Sequence, residues 1–170
     1  MIFETKRLIV RPWTEQDAEA AFQIYHHPEV SRYLGRNAKA MESVEEMAER
    51  IRFWQERDKG LRTDLGFWAM EEKQLGPIGS VVLRPLPNDT KVEVGWHLAF
   101  DHWGKGYATE AGSGAIKHGF ESVDLSEIYA IVQPENTRSV RVAERIGMEP
   151  LGTTDAYHEM ELLLFRIQRP

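Results

Sequence analysis

The stretch from Val92 to Ala111 constrains this chain more than any other. Over VEVGWHLAF (92–100), Val92, Val94, Trp96, Leu98 and Phe100 alternate with Glu93, Gly95, His97 and Ala99. Side chains of a strand alternate between faces, so this segment is a strand with one strongly apolar face. DHWGKGYATEA (101–111) follows at once, and a helix should begin near Gly106 and run to about Ser122. Gly104 and Gly106 let the backbone turn sharply and approach a ligand with no Cβ in the way. The first amides of such a helix have no internal partner, and with the helix dipole they form an anion site. Lys105 adds a point charge, and a pyrophosphate suits a nest of this kind. A bare Gly-x-Gly is equally a tight strand-to-helix turn. The P-loop pattern is absent, and a dinucleotide fingerprint would need a third glycine where Thr109 stands.

The remaining segments supply a sheet and its helices. TKRLIVR (5–11) reads as a first strand with Leu8 and Val10 on one face. Thr14 and Asp17 approach a capping box, ahead of a helix with Ala18, Ala21, Phe22 and Tyr25 at helical spacing; Pro28 blocks its continuation. Ser43 and Glu46 form a second capping box, and that helix faces inward through Val44, Met47, Ile51 and Trp54, with Gly60 past its end. Strands follow at 66–71 and 77–84, then at 127–133. Asn136 caps a helix that ends at Gly147, and two last strands fall near 149–153 and 158–166. The order is β-α-α-β-β-β-α-β-α-β-β, a mixed α/β chain expected to form one domain over residues 1–170.

Composition narrows the function. With no cysteine among 170 residues, disulfides, thiolate metal sites and a cysteine nucleophile are excluded. The pair His26–His27 has no further ligand at a fitting spacing, so no metal is expected. The net charge of -6 and the scattered basic residues argue against nucleic acid; they favour a cationic acceptor weakly, or simply keep the protein in solution. No apolar run of about 18 residues is present, so no membrane partner is expected. The N-terminus lacks the apolar core of a secretory signal, and a cytoplasmic protein is the expectation.

The run GKGYATEA, read with the opening TKRLIVRPWTEQDAEAAF (5–22), VEVGWHLAF (92–100) and PENTRSVRVAERIGM (134–148), resembles the GNAT superfamily of N-acetyltransferases. It is most similar to the subgroup of ribosomal-protein N-terminal acetyltransferases (RimJ/RimL-like). The family's cofactor motif is Gln/Arg-x-x-Gly-x-Gly/Ala. Trp103 stands at its first position, a departure that looks like members of this subgroup, while Gly106 and Ala108 match. The resemblance spans almost the whole chain. It implies an α/β (α+β) fold: a mixed, mostly antiparallel central sheet, two splayed parallel strands and about four helices. It also implies acetyl-CoA as acyl donor, with no metal. Main-chain groups around Leu98 and Phe100 would pair with the pantetheine arm. Amides of Gly104, Lys105, Gly106, Tyr107, Ala108 and Thr109 would hold the pyrophosphate, and Asn136 would reach the pantetheine from across the wedge.

For the chemistry, the family implies transfer to a primary amine by direct attack in a ternary complex. An amine protonated at neutral pH needs a base. Glu93 is the leading candidate, ten residues before Trp103, where many family members carry an acid. A carboxylate on a sheet face is also commonly just paired with a basic neighbour. His97, further along the same face, is either a proton relay or a structural histidine. A backbone N–H near Leu98 would meet the oxyanion. The tyrosine that many members use as general acid is replaced by Ala143, whereas Ser139 stands where the ribosomal-protein subgroup has its serine. Ser139 is therefore either the general acid or an ordinary residue of a first helical turn. Trp54 and Trp96 fit core stripes; Trp13 lines the acceptor site or packs as a staple. His26, Tyr33 and Arg36 would border the acceptor. Family members are often dimers, so the resemblance leaves a homodimer open without settling the assembly. The acceptor is open among peptide N-termini, polyamines, amino acids and aminoglycosides. The alternative reading is a catalytically silent acyl-CoA-binding sensor, and a nucleotide-binding protein is a third.

Overall fold

A computed structural model describes residues 1–170. Eight strands form one sheet: β1 (Phe3–Glu4), β2 (Leu8–Pro12), β3 (Gly66–Glu72), β4 (Gly76–Pro85), β5 (Val92–Leu98), β6 (Glu127–Val132), β7 (Glu149–Thr154) and β8 (Leu162–Gln168). Their order across the sheet is β1-β2-β3-β4-β5-β6-β8-β7. Every neighbouring pair is antiparallel except β5 and β6, which are parallel and share a single paired position, Glu93 opposite Tyr129. Five helices cover the sheet: α1 (Ala18–Tyr25), α2 (Pro28–Ser31), α3 (Val44–Asp58), α4 (Tyr107–Glu121) and α5 (Thr137–Arg145). None is long and apolar enough to cross a membrane.

Alternation along the central strands divides the apolar side chains between two cores. On one face, Leu8, Val10, Val81, Val94 and Ile128 meet Ala111 and Ala115 of α4 and Ala143 of α5. On the other, Ala69 of β3 meets Ala21 and Ile24 of α1, Met47, Ile51 and Trp54 of α3, and Trp13. A sheet buried on both faces must put its functional groups where strands part or a side chain is small.

Several expectations are corrected. The first strand does not start at Thr5: Thr5 N–H bonds Leu8 O at 2.8 Å, so residues 5–7 make a tight turn and residues 3–4 pair back on β2. In α1 the inward position is Ile24, with Phe22 only half-buried. Pro28 ends one helix and opens another, because its missing N–H costs nothing at the first position of α2. The strand read over 92–100 stops at Leu98, and residues 100–102 form a 3-10 turn. The last strand begins at Leu162, since His158 and Glu159 adopt φ of 57° and 53°, which no strand accepts.

Candidate active site

The turn between β5 and α4 is shaped by its glycines. Gly104 and Gly106 have φ of 75° and 80°, a region costly for any residue with a Cβ. Gly106 caps α4 without a side-chain bond. No backbone amide from Gly104 to Thr109 donates to a protein acceptor; the first that does is that of Glu110, to Gly106 O at 3.0 Å. These amides and the α4 dipole form a cradle for an anion. The Lys105 side chain is exposed beside it. Arg7 braces the cradle from behind: its Nη1 donates to Lys105 O at 3.0 Å, and its guanidinium lies 4.2 Å from the centre of the Tyr107 ring. Glu110 fixes Arg7, accepting from its Nε at 2.6 Å and its N–H at 2.8 Å, and accepts from the Thr5 hydroxyl at 2.6 Å. Burial pushes the Glu110 carboxyl up, but these donors outweigh it and hold it below its ordinary value. The Arg7–Glu110 strap escaped the sequence reading, because partners that far apart leave no periodic signal.

The wedge between β5 and β6 opens beyond Glu93. Trp96 crosses it, its indole N–H donating to Ser139 Oγ at 3.3 Å. Since Ser139 accepts there, its own hydrogen stays free to be donated. Asn136 Oδ1 accepts from the Ser139 N–H at 3.3 Å, which caps α5 and leaves the Asn136 amide hydrogens available. Two of the main-chain groups assigned to the pantetheine arm are engaged. The Leu98 carbonyl accepts from the Trp103 indole at 2.8 Å, and the Phe100 carbonyl accepts from the Trp103 N–H at 3.1 Å. Phe100, outside the strand, instead stacks on His27 with ring centres 4.3 Å apart. Gly79 was also missed. A Cβ there would lie 2.1 Å from the His97 carbonyl oxygen, so only glycine lets β4 approach β5 at this point.

Glu93 and His97 project from the face of β5 covered by α1 and α3, with Gly95 between them. Four residues of extended chain separate them by about 13 Å, too far for direct proton exchange. Glu93 sits opposite Arg84 in the register but makes no hydrogen bond or close ion pair. Burial pushes its carboxyl up to about 7, against the opposing pull of Arg84 and Arg57. Arg84 Nε is buried without a hydrogen-bond partner, 3.7 Å from Asp58 Oδ1. His97 Nδ1 lies 3.0 Å from the Tyr25 hydroxyl, and burial lowers the imidazole to about 4. Of the two, the Glu93 carboxyl, poised by desolvation, suits proton transfer near neutral pH.

Trp13 does not line the acceptor side. It is buried against Trp54, with ring centres 6.2 Å apart, and its indole donates to Ser80 Oγ at 3.1 Å. His26 and His27 spend their Nδ1 atoms on local bonds to Phe22 O and Glu29 N. Tyr33 and Arg36 border an open depression with Glu135 and Glu159, where Arg36 donates to Glu159 O at 3.4 Å.

The family model described as an acetyltransferase (GNAT) domain matches residues 7–149. The uncharacterized N-acetyltransferase YoaA of Bacillus subtilis is 34% identical over 164 residues, covering 92% of this chain and 87% of its own. Among solved structures, Mycobacterium smegmatis RimJ in complex with CoA-disulfide superposes with a TM-score of 0.79 at 20% identity, over 95% of this chain and 81% of that one. The ribosomal-protein-S5-alanine acetyltransferase of Vibrio fischeri gives 0.76 at 19% identity, over 99% and 98%. At those identities the structures speak for the fold alone. The family match, the relative, the amide cradle and the splayed parallel pair agree: the chain belongs to the GNAT acetyltransferase family and is an acetyl-CoA-dependent acetyltransferase.

Proposed function

We propose that this enzyme acetylates a primary amine by direct attack in a ternary complex, as a single domain, with the RimJ/RimL-like peptide N-terminal acetyltransferases as its functional precedent. The observation that carries the reading is the half-buried, unpaired Glu93 carboxyl on the face opposite α4 and α5. Acetyl-CoA, when bound, supplies an acyl carbon open to a nucleophile and a sulfur that departs. The unpaired amides from Gly104 to Thr109 suit its pyrophosphate, and Lys105 adds charge. Asn136, with its amide hydrogens free, and the main chain near Leu98 flank the arm that runs into the wedge. Phe100 lies outside the strand, its ring packed on His27 and Trp103, and so offers no added strand position to the arm.

Glu93 is the base in this reading. An amine reaches the site as an ammonium ion and must lose a proton before it attacks, and a carboxyl titrating near neutrality accepts that proton, directly or through water. Ser139 offers its free hydroxyl hydrogen on the α5 side of the wedge, where negative charge develops on the leaving sulfur. The RimJ-like precedent is supported by Ser139 in the first turn of α5, and the fold shared with the RimJ and the S5-alanine acetyltransferase named above is compatible with it.

Thiol release from acetyl-CoA against a panel of peptide N-termini, amino acids, polyamines and aminoglycosides tests this reading. Release with one amine class, suppressed in Glu93→Gln, is the expected result. Release that Glu93→Gln leaves untouched would remove Glu93 from the chemistry.

A further inference from the structure

His97 is bonded at one ring nitrogen only, and the bonds behind it decide which nitrogen carries the proton. Nδ1 lies 3.0 Å from the Tyr25 hydroxyl, and Nε2 has no partner in the protein. The Tyr25 hydroxyl lies 2.6 Å from Ser80 Oγ, which also receives the Trp13 indole N–H at 3.1 Å. Trp13, Tyr25 and Ser80 are all buried. An indole can only donate, so Ser80 accepts from Trp13. The single Ser80 hydrogen then has one acceptor in reach, the Tyr25 oxygen. If Tyr25 donated to Ser80 instead, the serine hydrogen would be stranded in the core, which buried polar groups avoid. Tyr25 therefore keeps its own hydrogen for Nδ1 of His97, and the ring proton is left on Nε2. Ring contacts fix the imidazole plane: Tyr25 meets it edge-on at 5.9 Å and Phe67 at 5.4 Å.

We infer that His97 is a neutral hydrogen-bond donor that reads an oxygen of the amine acceptor through Nε2–H, with Trp13, Ser80 and Tyr25 as positioning residues that lock its tautomer. The inference rests on the reading that the acceptor occupies the Glu93 face, and it names the acceptor class. An ammonium group would need a lone pair, which His97 turns inward. A carbonyl oxygen beside the reacting amine, as in an amino acid amide or a peptide N-terminus, takes the outward N–H, and the amine then passes its proton toward Glu93 through water. A polyamine has no such oxygen. The lock also removes His97 from base or relay duty. The burial that keeps the ring uncharged down to about pH 4 agrees with this.

Long-range proton–nitrogen correlation spectra of the labelled protein, with His97→Gln for assignment, read the tautomer without turnover. Nε2 should carry the proton and Nδ1 none, and Tyr25→Phe, which keeps the ring but removes the donor, should release the lock and yield a tautomer mixture. Alaninamide should shift the Nε2–H resonance, and isopropylamine, which has a methyl in place of the carboxamide, should not. In kinetics, His97→Ala should raise KM for alaninamide about tenfold with a smaller change in kcat, affect isopropylamine clearly less, and be partly rescued by His97→Gln. A proton on Nδ1 in the wild type, or equal loss for both amines in His97→Ala, overturns the inference. Transfer by the wild type to no amine of any class would instead sink the acceptor reading on which it rests.

Discussion

At Glu93, burial and charge act against each other, and burial wins. The folded protein holds this proton more tightly than the unfolded chain, whose carboxyl titrates near 4.5. The stability it contributes is therefore complete below about pH 4.5 and lost as pH rises through about 7. Glu93→Gln should raise stability at pH 8 by roughly 2–3 kcal/mol and change little at pH 4.5, as read by urea denaturation. The same variant should lose the rise of kcat/KM near pH 7; an unchanged pH profile would place the proton acceptor elsewhere. Ser139→Ala should lower kcat about 10- to 100-fold while the KM for acetyl-CoA stays within about twofold, because the lost hydrogen acts on departing charge rather than on binding. A rise in that KM with kcat intact would make Ser139 a cap and nothing more. Both residues were singled out in the sequence by the family resemblance, which places them relative to Trp103 and Asn136. Tyr25 and Ser80 were not, since in sequence each looks like an ordinary helix or strand position and only packing turns them toward His97.

Among the elements, α4 depends on a turn that alternation could announce and a strap that it could not. Gly106→Val places a β-branched residue at φ of 80°, and should weaken CoA binding at least about tenfold by calorimetry, with a stability loss of about 1–2 kcal/mol. Retained affinity would show that the cradle amides do not hold the pyrophosphate. Glu110→Gln removes the charge that ties Thr5 and Arg7 to α4, and should destabilise the fold by about 2 kcal/mol and speed amide exchange at residues 3–8. The first strand was misread for the same reason: TKRLIVR is continuous in propensity, but the Thr5 hydroxyl, engaged with Glu110, favours a turn at residues 5–7. Strand β5 was read two residues too long because alternation continues through Phe100, while Trp103 draws the chain into a turn by capping Leu98 O and Phe100 O.

For the molecule as a whole, the site lies where one sheet changes from antiparallel to parallel pairing, with a separate core on each face. Acetyl-CoA at a hundredfold excess over its Kd should stabilise the protein by about 2.7 kcal/mol, and ATP or NAD by nothing measurable in a thermal shift assay. Equal stabilisation by ATP would mean that the cradle alone, and not the wedge, selects the ligand. The fold class, the strand–glycine–helix cradle and the capped α5 were all determined by the sequence, because local periodicity, glycine conformations and caps act within a few residues. Only the tertiary structure decided that β6 parts from β5 after Glu93, that Gly79 admits the His97 carbonyl, that Arg7 braces the cradle, and that a buried chain of hydroxyls ends on His97. Those features depend on which distant side chains share a core, and on the requirement that every polar group buried there be satisfied.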